Sequence, residues 1–301
     1  MNANSRNKAH SRADLYAAAD SYLKALAAKD VSQVKWADHV VFTENNVQLA
    51  LGDGLWNTIS KVRPEYDLKC ADLSTGQVSW FGIIEESGDA AVMGMRLKVE
   101  DGCISEAETI VCRPSELGPF PLIDDAARPR PAMLEDVPAD KRTPRHRMIA
   151  LADGYFDTLQ LNDGELFTHF TDDCDRIENG LQTTNTDIEG YPIAKMGTAD
   201  QFRLGQYFYD DRLRDRRYPL VDEEKGIVCA AGFIDHSGRL TDITWTDGSR
   251  HKSIFTYPHS FALLELFKIV DGKIAEVEAV FITVPYNMVS PWTAPQPYVV
   301  R

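Results

Sequence analysis

One hairpin, written twice, constrains this chain more than any other feature. Residues 257–281 read as two long antiparallel strands around Asp271-Gly272, and residues 95–110 repeat the pattern around Asp101-Gly102. Asp-Gly closes such a turn because both residues tolerate positive φ. The spacing is kept as well: Lys98, Asp101, Gly102, Ile104, Glu106 and Glu108 match Lys268, Asp271, Gly272, Ile274, Glu276 and Glu278. The chain therefore contains one fold twice.

The elements before each hairpin also recur in order. Leu15, Ala18, Ala19, Tyr22, Leu23 and Leu26 have helical spacing over 13–29, with Ser11 as the cap, and Ile149, Ala152, Tyr155, Phe156 and Leu159 repeat it after His146. In each half the pattern predicts a short helix next, ending near Asp38 and near Phe170, then a strand that breaks into a turn at Asn45-Asn46 and at Asn179-Gly180. A helical turn over 55–59 and strands near 78–85, 90–99 and 103–112 complete the first half; strands near 218–236, 252–269 and 274–284 complete the second. Residues 181–211 form a loop and helix without a counterpart. Seven prolines from Pro114 to Pro144 interrupt any periodicity and mark a linker or surface strap. The reading is a first domain over 12–113, a linker over 114–144 and a second domain over 145–301. The class is α+β: in each domain a curved antiparallel sheet wraps a long helix and leaves a cone, a natural place for a small-molecule site.

Charge excludes several functions. The 301 residues hold 46 acidic and 32 basic side chains, a net charge of −14 that repels phosphate backbones, so neither nucleic acid nor an anionic membrane is expected as partner. No apolar run suits a membrane helix and the polar start is no signal peptide, which predicts a cytoplasmic protein. The five cysteines, Cys70, Cys103, Cys112, Cys174 and Cys229, show no metal-ligand or disulfide spacing and read as buried thiols. There is no Gly-x-Gly-x-x-Gly, Walker loop, His-Glu-x-x-His or nucleophile elbow, so neither cofactor nor metal is implied.

The order of elements, with Tyr155-Phe-Asp-Thr-Leu-Gln-Leu-Asn-Asp163 and Phe267-Lys-Ile-Val-Asp-Gly-Lys-Ile274, resembles the nuclear transport factor 2-like superfamily, which includes SnoaL-like cyclases and ketosteroid isomerase. The resemblance covers about residues 12–112 and 145–284. It implies a catalytic helix tyrosine, matched by Tyr155 and, in the first half, by Tyr22. It also implies an oxyanion-hole acid on the strand entering the last hairpin: Glu265 matches in the second half, but Met95 stands there in the first. The catalytic-base position falls on Asn179 and Asn45, whose amides are not bases near neutral pH, leaving Asn179 a hydrogen-bonding or oxyanion-stabilising role. The chain is also similar to the two-domain, cofactor-free γ-formaldehyde lyases that sphingomonads use on lignin-derived diaryl compounds.

Strand alternation places His259, Phe261, Leu263, Glu265 and Phe267 on one face. Glu265 among apolar neighbours is then a functional acid or a paired one, and His259 is either a strand-end cap or a general acid or base. The expected catalytic set is Tyr155, Glu265, His259 and Asn179, with Glu178, Phe261, Phe267, Phe281, Tyr286 and Trp292 contacting the substrate. In that set a protonated Glu265 donates, neutral His259 accepts and Tyr155 holds an oxyanion. Glu276 and Glu278 read as a solvated or interfacial face, and Arg212, Arg214, Arg216 and Arg217 as partners of the many acids. Three functions fit: a cofactor-independent lyase acting on a small aromatic or apolar substrate, releasing formaldehyde in the diaryl case; an isomerase, dehydratase or cyclase; or a non-catalytic ligand-binding or assembly module. A homo-oligomer is expected, because Leu264, Leu266 and Val280 lie on the sheet face away from the helix and are better buried.

Overall fold

The computed structural model describes residues 10–114 and 127–293; Tyr298 and residues 115–126 of the expected linker lie outside these. Helix α1 (Arg12–Ala27) opens the first half, capped reciprocally by Ser11 and Asp14. Strands β1 (Trp36–Glu44) and β2 (Val47–Gln48), helix α2 (Leu55–Thr58) and strands β3 (Ile59–Asp72), β4 (Gln77–Glu86), β5 (Asp89–Glu100) and β6 (Cys103–Cys112) follow. A short helix α3 (Pro131–Leu134) precedes the second half, made of α4 (Arg145–Leu161), β7 (Phe170–Glu178), β8 (Leu181–Gln182), α5 (Thr198–Arg203), β9 (Arg212–Asp222) and β10 (Ile227–His236). A small hairpin, β11 (Asp242–Thr244) and β12 (Arg250–Lys252), leads into β13 (His259–Val270) and β14 (Lys273–Val284).

Both halves build the same six-stranded sheet. The orders are β2-β1-β6-β5-β4-β3 and β8-β7-β14-β13-β10-β9, each with one parallel pair, β1 with β6 and β7 with β14. The α+β class and the duplication are therefore as the repeated hairpin required. Its turns use Asp101 and Asp271 at φ 51° and 50°, each followed by a positive-φ glycine.

Four local expectations differ, the first being that the strand expected over 252–269 begins only at His259. The first short helix is only a 3-10 turn at Val31–Gln33, and residues 163–169 form no helix before β7. The long edge strand β3 was not anticipated. The single strand expected over 218–236 is two, β9 and β10, separated by a turn at Gly226. There φ is +65° and a Cβ would lie 2.4 Å from the Ile269 carbonyl oxygen, so only glycine fits.

Each long helix covers one face of its own sheet. Leu15, Tyr22 and Leu26 pack on Trp80, Met93 and Met95 in the first half; Leu151, Tyr155 and Phe156 pack on Val228, Phe267 and Val277 in the second. The opposite faces pack on each other, joining Leu68, Phe81 and Val92 to Leu220, Leu264, Leu266 and Val280, with Met133 of α3 inserted. Leu264, Leu266 and Val280, the residues that motivated a homo-oligomer, are thus covered by the first half of the same chain, and burial of each such side chain contributes roughly 1.5–3 kcal/mol. That argument for oligomerisation falls away.

Crosswise ion pairs fix the two halves in register. Arg12, at the start of α1, donates to Asp222 at the end of β9 at 2.8 Å, and Arg145, at the start of α4, donates to Asp72 at the end of β3 at 2.5 Å. Each carboxylate also accepts a backbone amide of the other half, Asp222 from Ala71 and Asp72 from Val221. Glu276 and Glu278 are buried in this interface; Arg130 pairs with Glu276 and the Tyr66 hydroxyl donates to Glu278 at 2.8 Å.

Candidate active site

The two cones differ in what fills them. In the first, Tyr22 meets Trp36 and Trp56 edge-to-face and the two indoles are tilted at 58°, with ring centroids 5.4–6.5 Å apart, in one cluster with buried Trp80 and Met95. In the second, a cavity of about 650 Å³ is lined by Tyr155, Arg176, Glu178, Asp210, His259 and Glu265 together with aromatic walls. The extra loop between β8 and β9 contributes Tyr191, Tyr207 and Tyr209 to those walls.

At the floor, α4 supplies Tyr155 and β13 supplies Glu265, linked by a side-chain hydrogen bond. Burial pushes the Glu265 carboxyl up to about 8; the nearby Glu178 charge adds to the rise, which Arg176 and the Tyr155 bond only partly offset. At neutral pH Glu265 therefore carries a proton. Burial also raises the Tyr155 hydroxyl, so it too remains a donor. The strand register aligns Glu265 with Ala279 and Ala279 with Glu178, which sets the two glutamates on one face, two strand spacings or roughly 10 Å apart at Cα, with only a methyl group between. Glu178 lies 3.8 Å from the fully buried Arg176. That guanidinium also donates to Gln201 and to the Tyr207 hydroxyl.

At the mouth, His259 stacks on His236 with centroids 4.5 Å apart and an interplanar angle of 12°. His236 Nε2 meets Asp210 Oδ1 at 2.7 Å, and His259 Nδ1 meets the Tyr257 carbonyl at 2.9 Å. Burial lowers the His259 pKa, with His236 adding to the effect against the Tyr257 bond.

The structure brings Tyr155, Glu265, Glu178, His259, Phe261 and Phe281 to one cavity and places four expected site residues elsewhere. The Asn179 carboxamide makes a two-way bond with the backbone of Phe281, accepting its amide at 2.9 Å and donating to its carbonyl at 3.1 Å, as Asn45 does with Val111 in the first half. Phe267 is 0% exposed and packs beneath the floor, 4.9 Å from the Tyr155 ring. Tyr286 is 42% exposed and away from the cavity. Trp292 sits at the junction of the halves, stacked over Arg96 at 4.7 Å and donating to Thr43.

The expected pairing of His259 with Glu265 also changes. They share a face, but six residues of extended strand separate their Cα atoms by roughly 20 Å, so one marks the mouth and the other the floor. The serial arginines pair with acids as expected: Arg212 and Arg214 with Asp235, Arg216 with Asp153 and Asp157, and Arg217 with Glu108. The cation at the cavity is Arg176, which the sequence reading missed although it stands two residues before Glu178 on the same strand face. Asp210, in the unrepeated loop, carries no local sequence signal.

The chain belongs to the family described as "Domain of unknown function (DUF8021)", whose model matches residues 8–111 and 141–281. No curated protein matches it. Among solved structures it is similar to a protein of unknown function with a cystatin-like fold from Methylobium petroleophilum PM1, at 10% identity and TM-score 0.30, over 36% of this chain and 83% of that one. It is also similar to a candidate ketosteroid isomerase from Kribbella flavida DSM 17836, at 14% identity and TM-score 0.26, over 37% and 89% of the two chains. A third neighbour is AclR, a candidate hydroxylase from Streptomyces galilaeus, at 16% identity and TM-score 0.29, over 47% and 83%. Among the described residues no helix is long and apolar enough to cross a membrane.

Proposed function

We propose that the second cone is the active site of a small-molecule enzyme that moves a proton at a carbon beside a carbonyl, an isomerase or dehydratase acting on an apolar or aromatic substrate. The observation that carries this reading is the floor: a protonated Glu265 held by Tyr155, with Glu178 facing it across Ala279. The Glu178 carboxylate takes the proton from the carbon, the C–H pair forms a carbon–carbon double bond as the carbonyl π pair moves onto oxygen, and that oxyanion is held by the Glu265 proton. Tyr155 supports Glu265 from below. Glu178 then returns the proton to the γ-carbon of a β,γ-unsaturated substrate, or delivers it to a β-hydroxyl that leaves as water while the enolate reforms the carbonyl. The logic is that of ketosteroid isomerase, where a carboxylic acid kept neutral by its apolar surroundings donates to the oxyanion. The base is here Glu178 rather than its neighbour Asn179.

Formaldehyde release from a diaryl compound would use the same acid and base, with Glu178 in the role expected for His259. A protonated Glu265 held in place by Tyr155 suits a developing oxyanion, which favours the isomerase or dehydratase. Proton NMR in deuterium oxide tests the reading on a panel of aryl alkyl ketones. The wild type should erase the α-proton signals while Glu178→Gln slows the exchange by about 10²- to 10⁴-fold, the usual share of a positioned base. Retention of every α-proton by the wild type, or full exchange by Glu178→Gln, would overturn it.

A further inference from the structure

We propose that the cavity accepts an elongated, electrically neutral aromatic ligand of two or more rings, with an oxygen acceptor at its inner end and a hydroxyl at its outer end that donates to His259. The inner end rests on the reading of the floor just given; the outer end rests on the mouth alone. Length comes first: the cavity runs along β13 from Glu265 to His259, roughly 20 Å of strand, so a single ring cannot touch both ends. The walls are aromatic along that path, with Phe261 against Phe281 at 5.0 Å on the sheet and Tyr209 against Phe255 at 4.9 Å near the mouth. Flat rings fit such faces by offset or edge contacts.

Charge decides the ligand's sign. Of the three carboxyl groups that face the cavity Glu265 is protonated, which leaves Glu178 and Asp210 against one guanidinium, Arg176, whose Nη2 donates to Gln201 and Tyr207 and lies 3.8 Å from Glu178. An anionic ligand would meet no excess of positive charge in this cavity, so a neutral one is preferred.

His259 decides the outer group. The Tyr257 carbonyl can only accept, so the hydrogen of the neutral imidazole resides on Nδ1, and Nε2 presents a lone pair. The ring is held in place by its stack on His236, itself tied to Asp210, and by edge contacts to Phe255 and Phe261. A fixed acceptor at the mouth of an aromatic slot calls for a hydroxyl donor. Because His259 is half-buried, its bond is worth an ordinary neutral hydrogen bond, about three- to tenfold in affinity.

Calorimetric titration tests this with three probes: a biphenyl bearing an acetyl group at one end and a hydroxyl at the other, the same ketone without the hydroxyl, and the same ketone with a carboxylate in its place. The hydroxyl ketone should bind the wild type about three- to tenfold more tightly than the bare ketone, and the carboxylate most weakly. His259→Phe, which keeps an aromatic ring in the stack, should bring the hydroxyl ketone to the level of the bare one. Equal binding with and without the hydroxyl, tightest binding of the carboxylate, an advantage that survives His259→Phe, or binding of none of the three would each overturn the inference. Affinity is read without turnover. A protein that binds as expected but exchanges no α-proton overturns only the proton-transfer reading, and one that exchanges protons without preferring the hydroxyl overturns only this one.

Discussion

Glu265 and Glu178 face each other across Ala279, one on β13 and one at the end of β7, and the buried Glu265 is pushed up to about 8 while Glu178 keeps Arg176 at 3.8 Å. The two carboxyl groups share one cavity in different surroundings: Glu265 holds a proton, and the proposed reaction uses Glu178 to take one. In the first cone Met95, fully buried, takes the place of the acid.

Activity should therefore follow the Glu265 proton. Turnover is expected to hold on the acid side of neutrality and to fall as pH rises through about 8, where the donor becomes a carboxylate facing a developing oxyanion. A kcat/KM profile of wild type and Glu265→Gln checks this. The amide keeps a donor that does not titrate, so the variant should lose the alkaline limb; an unchanged limb would assign it to another group.

The same group ties stability to pH. Unfolded, its carboxyl ionises near 4.5, and folded at about 8, so between these values the unfolded chain binds fewer protons and stability declines as pH rises. Glu278 adds to the decline between 4.5 and about 7, because burial raises it, the neighbouring Glu276 adds to that, and the Tyr66 bond only partly offsets it. Its second oxygen is buried without a partner among the described residues. Glu278→Gln keeps the acceptor for Tyr66 and removes the ionisation. Its melting temperature should match the wild type near pH 5 and exceed it near pH 8; equal curves at both would rule out the buried carboxylate as the source.

The two cones should respond differently to conservative changes. Met95→Leu swaps one buried apolar side chain for another of similar volume, which costs under about 1.5 kcal/mol, and kcat should stay unchanged. Tyr155→Phe removes a donor at the floor and should lower kcat by about 10²- to 10³-fold with the fold retained. Circular dichroism and turnover measured side by side separate the cases, and a larger kcat loss in Met95→Leu would move the chemistry to the first cone.

How much of this was legible follows from the range of the forces involved. The Asp101-Gly102 and Asp271-Gly272 hairpins are local, and residue identity alone fixes them. Strand β3 was not read, although Val62, Pro64, Tyr66, Leu68 and Cys70 alternate with Lys61, Arg63, Glu65, Asp67 and Lys69; a proline inside such a run fits a strand at the sheet edge, where β3 lies. Alternation found the face shared by His259 and Glu265 but not the distance along it, which a count of residues would have supplied. The proposed base stands one position before Asn179, because Asn179 lies past the end of β7 at φ 49°, where its amide closes onto Phe281 instead of facing the cavity. The packing of the two sheets on each other was not legible, since an apolar outer face reads alike whether a second half or a second copy covers it.

The interface that resulted rests on ion pairs as well as on apolar packing. Asp72 is 1% exposed and accepts from Arg145, from the Val221 amide, and from the Ser74 amide and hydroxyl. Burial alone would raise its pKa, but Arg145, Ser74 and the Val221 amide outweigh that and hold it below 3.8, so its contribution is present above that value and is lost as pH falls further. Removing the carboxylate leaves a guanidinium and a buried amide of the second half without their partner. Asp72→Ala should therefore cost about 3–5 kcal/mol at neutral pH, the usual result of breaking one side of a buried pair. Asp222→Ala, which strips the Ala71 amide but leaves Arg12 bonded to Glu224 at 2.9 Å, should also destabilise, by less. Urea denaturation followed by tryptophan fluorescence should show the midpoint lowered in both variants. An unmoved midpoint in either would mean that the apolar faces alone hold the halves together.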